Sequence, residues 1–146
     1  MIALDTNILV YARRRETAHY KAARDLVTRL AEGSEPWALP WPCLYEFVRV
    51  VTHPRVFDPP SKLDTVLEDL ESLLLSPSLV LLSEGPAHSS HFRRMLEDGD
   101  ASGNLAHDAH IAALVIEHGV EELLTTDRDF ARFRPVRTRN PFRTRK

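Results

Sequence analysis

Four carboxylates stand where an apolar core is being built. Asp5 follows Ile-Ala-Leu and is followed at once by "TNILV"; Glu46 is embedded in "CLYEFVRVV"; Asp108 sits within "LAHDAHIAALVI"; Asp127 comes directly after "ELLTT". An ionised carboxylate taken out of water costs several kcal/mol unless something compensates it. For Asp5 the nearest basic residues, Arg13, Arg14 and Arg15, lie at the far end of the following helical stretch, which leaves a metal ion as the other candidate partner. A single inward acid reads as a structural residue bonded to backbone or arginine. Four that converge would raise one another's pKa values and oppose folding unless cations filled the cluster. Oxygen-only ligands favour a hard ion, Mg²⁺ or Mn²⁺. The remaining acids, such as Glu68, Asp69, Glu71, Glu121 and Glu122, are expected on solvated faces.

The elements that must position these acids follow from periodicity and punctuation. "IAL" reads as a short buried strand, and "TNILVYARR" as a helix that Thr6 or Asn7 would cap. "ETAHYKAARDLVTRLAEG" has helical spacing and ends on Gly33, a residue suited to the position after a helix. Trp37 to Leu39 gives a brief strand, and Pro42 suits the first turn of a helix running to about Thr52. Ser61 opens the next helix, with Asp64 three residues on and an apolar face of Leu63, Val66, Leu67, Leu70, Leu73 and Leu74. "LVLL" at 79–82 is a second buried strand, followed by a more polar helix from about Pro86 to Glu97. "LAHDAHIAALVIEHG" is strongly helical and closed by Gly119. "ELLTTD" is a strand ending in acid, and "VRT" a last edge strand. Strands alternating with helices predict an α/β fold, a parallel sheet with helices on both faces. In such sheets ligands gather beyond the carboxyl ends of the strands, where Asp5 and Asp127 both fall.

Composition bounds the reading. With 146 residues, 43% of them hydrophobic, one domain with a sizeable core is expected. No leader with an apolar core and cleavage site is evident, nor any apolar run of membrane-spanning length, so a soluble cytoplasmic protein without a membrane partner is expected. The single cysteine, Cys43, excludes an intrachain disulfide and is expected to pack. Trp37, Trp41 and Tyr45 are likewise expected in the core. The seven histidines form no recognised motif and are read as structural or solvated. Net charge is −2, but residues 128–146 hold eight Lys/Arg against one acid, so that end is +7 and the remainder −9. Arg128, Arg132, Arg134, Arg137 and Arg139 form either a solvated end or an arm that contacts phosphates, with Arg13 to Arg15 a second candidate.

"ALDTNILVYA", "YEFVRVVTHPRVF", "GNLAHDAHIAALVIEHG" and "LLTTDRDFARF" together resemble, in order and spacing, the PIN-domain ribonucleases, most closely the VapC toxins of VapBC toxin–antitoxin modules. The resemblance implies a PIN-like three-layer fold, with a central parallel sheet of four to five short strands flanked by helices. It implies a single PIN domain over 1–140 and a basic C-terminal tail over 141–146. Asp5, Glu46, Asp108 and Asp127 take the places of the family's four acidic residues, with Asp5, Asp108 and Asp127 as metal ligands. Asn7 and Thr126 resemble polar neighbours that orient them. Asp129 could serve a second ion or cap the turn at "FARF".

The implied activity is a Mg²⁺-dependent endoribonuclease, Mn²⁺ being possible, that hydrolyses RNA phosphodiesters to 5′-phosphate and 3′-hydroxyl ends. Glu46 or Asp127 would orient the attacking water. An acidic pocket repels RNA unless basic groups surround it, which favours phosphate contact for the arginines of 128–139. The resemblance further implies a homodimer and a cognate VapB-type antitoxin that blocks the pocket through a groove on the first two helices and the "SKLDTVLEDLESLLL" helix. Two alternatives remain. A haloacid-type phosphatase also begins with an acid after a strand, but wants a second Asp where this chain has Asn7. A catalytically silent PIN-like module, binding RNA or protein, has no reason to keep the acids.

Overall fold

The computed structural model describes residues 1–144; Arg145 and Lys146, the last two residues of the expected basic tail, lie outside the described residues. Chain order is β1 (Ile2–Leu4), α1 (Thr6–Arg13), α2 (Tyr20–Glu32), β2 (Trp37–Pro40), α3 (Trp41–Val51), α4 (Leu63–Leu74), β3 (Leu79–Leu82), α5 (His88–Asp98), α6 (Leu105–Glu117), β4 (Glu122–Leu124), a 3₁₀ turn (Arg128–Arg132) and β5 (Thr138–Arg139). The sheet has strand order β3-β2-β1-β4-β5, and every pairing is parallel. This is the α/β sheet flanked by helices that the alternating pattern predicts.

Successive strand residues point to opposite faces, and the two faces build two cores. Ala3, Ala38, Leu82 and Leu123 face α5 and α6, where Met95, Ala109, Ala112 and Ala113 are wholly buried. Alanine on both sides brings the α6 backbone close to the sheet. Leu4, Trp37, Leu39 and Leu124 face the other way, onto Ile8, Leu44, Phe47 and Val66 of α1, α3 and α4. An α6 apolar on nearly every side is a helix that must be covered on nearly every side, and Asp108 is carried on it. Gly119 ends it at φ +64, with Val120 N–H bonded to the Val115 carbonyl and Gly119 N–H to that of Ile116. This is the left-handed stop that glycine permits.

Several expectations are corrected. The cap of α1 is Asp5, whose carboxylate accepts from Thr6 N–H, because the helix begins one residue earlier than a Thr6 cap requires and two earlier than an Asn7 cap requires. Gly33 follows α2 as expected, its N–H donating to the Arg29 carbonyl, but it does so in extended backbone (φ −77, ψ 172) and not as a left-handed residue. Lys62, not Ser61, precedes α4; Ser61 is buried and its hydroxyl accepts from Arg14. The wide leucine face of α4 is split: Val66 is buried, whereas Leu63, Leu67 and Leu74 are 58%, 48% and 44% exposed. Strand β3 is an edge strand that leaves Val80 exposed. Tyr45 is 67% exposed, since it stands on the outer side of α3, while Trp37 is buried as expected.

Candidate active site

The sheet reverses its order between β1 and β4, and the chain leaves both strands at the same rim. Leu4 pairs with Leu124, and Asp5 N–H donates to the Leu124 carbonyl at 3.0 Å, so Asp5 and Thr125 occupy the next position of the ladder. Adjacent residues in register touch. Thr125 Oγ1 donates to Asp5 Oδ2 at 2.7 Å and accepts from Asp127 N–H at 3.0 Å. Asp5 Oδ1 accepts from Thr6 N–H at 2.8 Å and lies 3.8 Å from the Cys43 thiol. Asn7 Nδ2 lies 3.4 Å from both Asp5 Oδ2 and Thr125 Oγ1. Asp5 is thus a buried carboxylate with a donor on each oxygen.

Glu46 on α3 accepts from the Thr6 hydroxyl at 3.2 Å and from Arg49 at 3.4 Å, which places it beside the same helix start. Asp108 comes from the first turn of α6, and Asp127 and Asp129 from the segment after β4. One carboxylate oxygen from each of Asp108, Asp127 and Asp129 lies within 4.8 Å of the other two. Phe130 and Phe133, both buried, pin that segment, and Gly99 lets the Phe133 ring approach: a β-carbon there would stand 2.5 Å from it.

Crowding is legible in the proton affinities. Burial pushes Asp108 from 3.8 up to about 7, and the charges of Asp127, Asp5, Glu46 and Asp129 add to the rise. Burial pushes Asp5 up to about 6; the bonds from Thr125 and Thr6 oppose this, while Glu46 and Asp127 add to it. Burial also raises the Cys43 thiol, so it packs as an inert neutral group. Carboxylates that resist ionisation in one another's company are a donor set suited to a divalent cation, whose charge offsets theirs.

Of the four acids read from the sequence, Asp108 and Asp127 meet, joined by Asp129, while Asp5 and Glu46 stand at the same rim near enough for their charges to act on Asp108. Asp127, rather than Asp129, caps the 3₁₀ turn, accepting from Asp129 N–H at 2.8 Å. The hydroxyl on Asp5 belongs to Thr125; Thr126 instead meets the Tyr11 hydroxyl at 3.3 Å, and its N–H lies 3.5 Å from Asn7 Oδ1. Thr125 and Tyr11 were not singled out by the sequence, and Thr6 only as a helix cap. The β1–β4 register finds Thr125, and sequence does not give register.

The arginines divide. Arg132 donates to the Gly99 carbonyl at 2.7 Å, and Arg139 to Glu122 at 2.7 Å, with Arg137 3.8 Å from the same acid. Glu122 opens β4, at the sheet end away from Asp127, so Arg137 and Arg139 are tied there and Glu122 is not merely solvated. Arg128 and Arg134 are exposed and make no ion pair among the described residues. Of the earlier run, Arg13 pairs with Asp69, while Arg14 bonds Ser61 and the Pro59 carbonyl and covers the Phe57 ring. Separately, α1, α2 and α4 enclose a groove of about 640 Å³ lined by residues including Leu9, Ala12, Val27, Leu73 and Leu75. No helix among the described residues is long and apolar enough to cross a membrane.

Residues 2–134 match the PIN domain family. The chain is 40% identical over 141 residues to VapC ribonuclease Mb2897 of Mycobacterium bovis, covering 97% of this chain and 95% of that protein. It is 33% identical over 138 residues to ribonuclease VapC48 of Mycobacterium tuberculosis, covering 94% and 95%. Among solved structures it resembles VapBC2 of Rickettsia felis bound to a promoter DNA fragment, with TM-score 0.65 and 24% identity over 96% of this chain and 98% of that one. Mycobacterium tuberculosis VapC20, a sarcin-ricin loop cleaving toxin, superposes with TM-score 0.63 at 13% identity, covering 90% and 93%. The chain belongs to the PIN-domain family, among the VapC ribonucleases.

Proposed function

We propose that this chain is the toxin of a type II toxin–antitoxin pair, an endoribonuclease that uses Mg²⁺, or Mn²⁺ in its place, to hydrolyse RNA. The observation that carries the reading is the convergence of Asp5, Glu46, Asp108, Asp127 and Asp129 beyond the carboxyl ends of β1 and β4, where burial and repulsion hold Asp108 at about 7. Asp5, Asp108 and Asp127 would hold the cation, with the exposed Asp129 beside Asp108 and Asp127. When bound, it polarises a phosphoryl oxygen and makes a neighbouring water acidic enough to attack at neutral pH. Thr125 and Asn7 fix the Asp5 oxygens, so the anchoring ligand does not wander. Glu46 or Asp127 accepts the proton of the attacking water and aligns it opposite the leaving 3′ oxygen. Arg128, next to Asp127 in the chain, and Arg134, both exposed, contact the phosphates that flank the scissile one. The domain responsible spans residues 1–140.

The groove between α1, α2 and α4, with Leu75 82% exposed on its wall, is the seat for a VapB-type antitoxin helix. The toxin pairs with a second copy of itself, as the family resemblance implies. Purified chain incubated with RNA in Mg²⁺, in EDTA, and as Asp108→Asn in Mg²⁺ tests the nuclease. Cleavage is expected only in the first; equal cleavage in all three refutes it. Release of phosphate from small esters without RNA cleavage would favour the phosphatase, and binding without cleavage the silent module.

A further inference from the structure

A second cluster of ligating side chains lies on the opposite side of α6. His110 and Glu117 are seven residues apart on that helix and share a face, turned about 180° from Asp108. The loop after β3 brings Glu84 to His110, whose Nε2 lies 2.7 Å from Glu84 Oε1. The first residue of α5, His88, places Nδ1 3.2 Å from Glu117 Oε2, and the two imidazoles are 5.3 Å apart. One ligand atom from each of Glu84, His88 and His110 lies within 4.8 Å of the other two. Independently, Glu117 is only 8% exposed, and its Oε1 is buried without a hydrogen-bond partner. A buried carboxylate with one oxygen on the His88 imidazole and the other idle leaves a buried acceptor unsatisfied.

We propose that Glu84, His88 and His110 bind a divalent transition ion of the Zn²⁺ class, at a site distinct from the acidic rim. The donors decide the ion: two imidazole nitrogens and one carboxylate match Zn²⁺, whereas the oxygen-only rim suits Mg²⁺. Glu117 holds His88 through Nδ1, which directs Nε2 to the ion, the outer carboxylate that histidine ligands of zinc commonly carry. Charge on the ion also offsets the idle Glu117 oxygen. Glu84, 52% exposed, leaves the ion a path from solvent. The bound ion joins the β3–α5 loop, the start of α5 and the second turn of α6, and so braces the helix that carries Asp108.

The test uses the full chain as Asp108→Asn in excess Mg²⁺, so that the acidic rim does not contribute, with Co²⁺ as a spectroscopic probe and Zn²⁺ as competitor. One equivalent of Co²⁺ is expected to give the visible absorption of a four-coordinate N/O site, and Zn²⁺ to abolish it. At a hundredfold excess over its Kd, Zn²⁺ is expected to raise Tm by about 5–10 °C. Adding His110→Ala or, separately, the exposed Glu84→Ala removes both signals, with far-UV dichroism and Tm in EDTA unchanged in the Glu84 variant. Absence of the Co²⁺ spectrum in the parent, or its survival in either variant, overturns the proposal.

Discussion

If burial and the neighbouring acids together penalise an ionised Asp108, removing its charge must stabilise the metal-free protein while abolishing its activity, and Asp108→Asn tests this. No hydrogen bond ties the Asp108 carboxylate among the described residues, so the change to an amide removes charge and little else. A rise from 3.8 to about 7 corresponds to a ceiling of about 4 kcal/mol. Asp108 is only half-buried, and solvent screening reduces this to about 1–2 kcal/mol. The sign follows from linkage: a folded-state pKa above the unfolded one means that the penalty is absent below pH 3.8, grows as the unfolded chain ionises, and is complete above about 7. In EDTA at pH 8, Asp108→Asn should therefore melt about 3–8 °C above the parent. At pH 5 the gain should be about a third of that, since little more than one of the roughly three intervening pH units has been crossed. Saturating Mg²⁺ should close or reverse the gap, because only the parent keeps its full ligand set. A variant less stable than the parent at pH 8 in EDTA, or a gain independent of pH, would refute the penalty on the Asp108 charge on which the metal site rests.

Other outcomes follow from the same geometry. Thr125→Val removes the donor to Asp5 and the acceptor of Asp127 N–H, and should cost about 1–3 kcal/mol by denaturant titration and about 10–100-fold in RNA cleavage, with Thr125→Ser restoring both. At limiting Mg²⁺ the cleavage rate should rise with pH to a half-maximum near 7, and the midpoint should move lower as Mg²⁺ is raised, because the cation binds the ionised acids. Leu75→Asp, on the exposed wall of the groove between α1, α2 and α4, should abolish co-purification with the cognate antitoxin and leave RNA cleavage by the isolated toxin within about twofold.

What the sequence disclosed, and what it withheld, divides along a physical line. Asp5, Glu46 and Asp108 were legible because apolar neighbours on both sides turn them toward the core, although Glu46 remains 40% exposed, and Asp127 because it closely follows a strand, which ends at Leu124. Gly119 was legible as a helix stop because left-handed backbone has a residue preference. Thr125 was not, since two adjacent threonines follow β4 and only the pairing of Leu4 with Leu124 decides which one meets Asp5. The arginines were legible as charge but not as partners: Glu122 lies 15 and 17 residues from Arg137 and Arg139, and the β4–β5 ladder brings them together. The face of α4 was legible as apolar but not as half-covered, because a helix reports its own stripe and not the width of the surface it meets.

Asp5 explains why the rim can exist before any cation arrives. As the cap of α1 it sits at the positive end of a helix dipole, accepts from Thr6 N–H and Thr125 Oγ1, and is held by the strand pairing immediately before it. These favour the charge, yet burial outweighs them and leaves the group at about 6. The fold therefore builds the position of the ligand with hydrogen bonds and leaves its charge incompletely compensated. Asp108, Asp127 and Asp129 face one another across the open side with fewer donors of their own, so that is where an added positive charge gains most. An Asp5 held this firmly should tolerate loss of the cation without displacement. Removal of Mg²⁺ should accordingly leave the Asp5–Thr125 bond intact and release the segment 127–129, a contrast that amide hydrogen exchange at Thr6 and at Asp129 can measure.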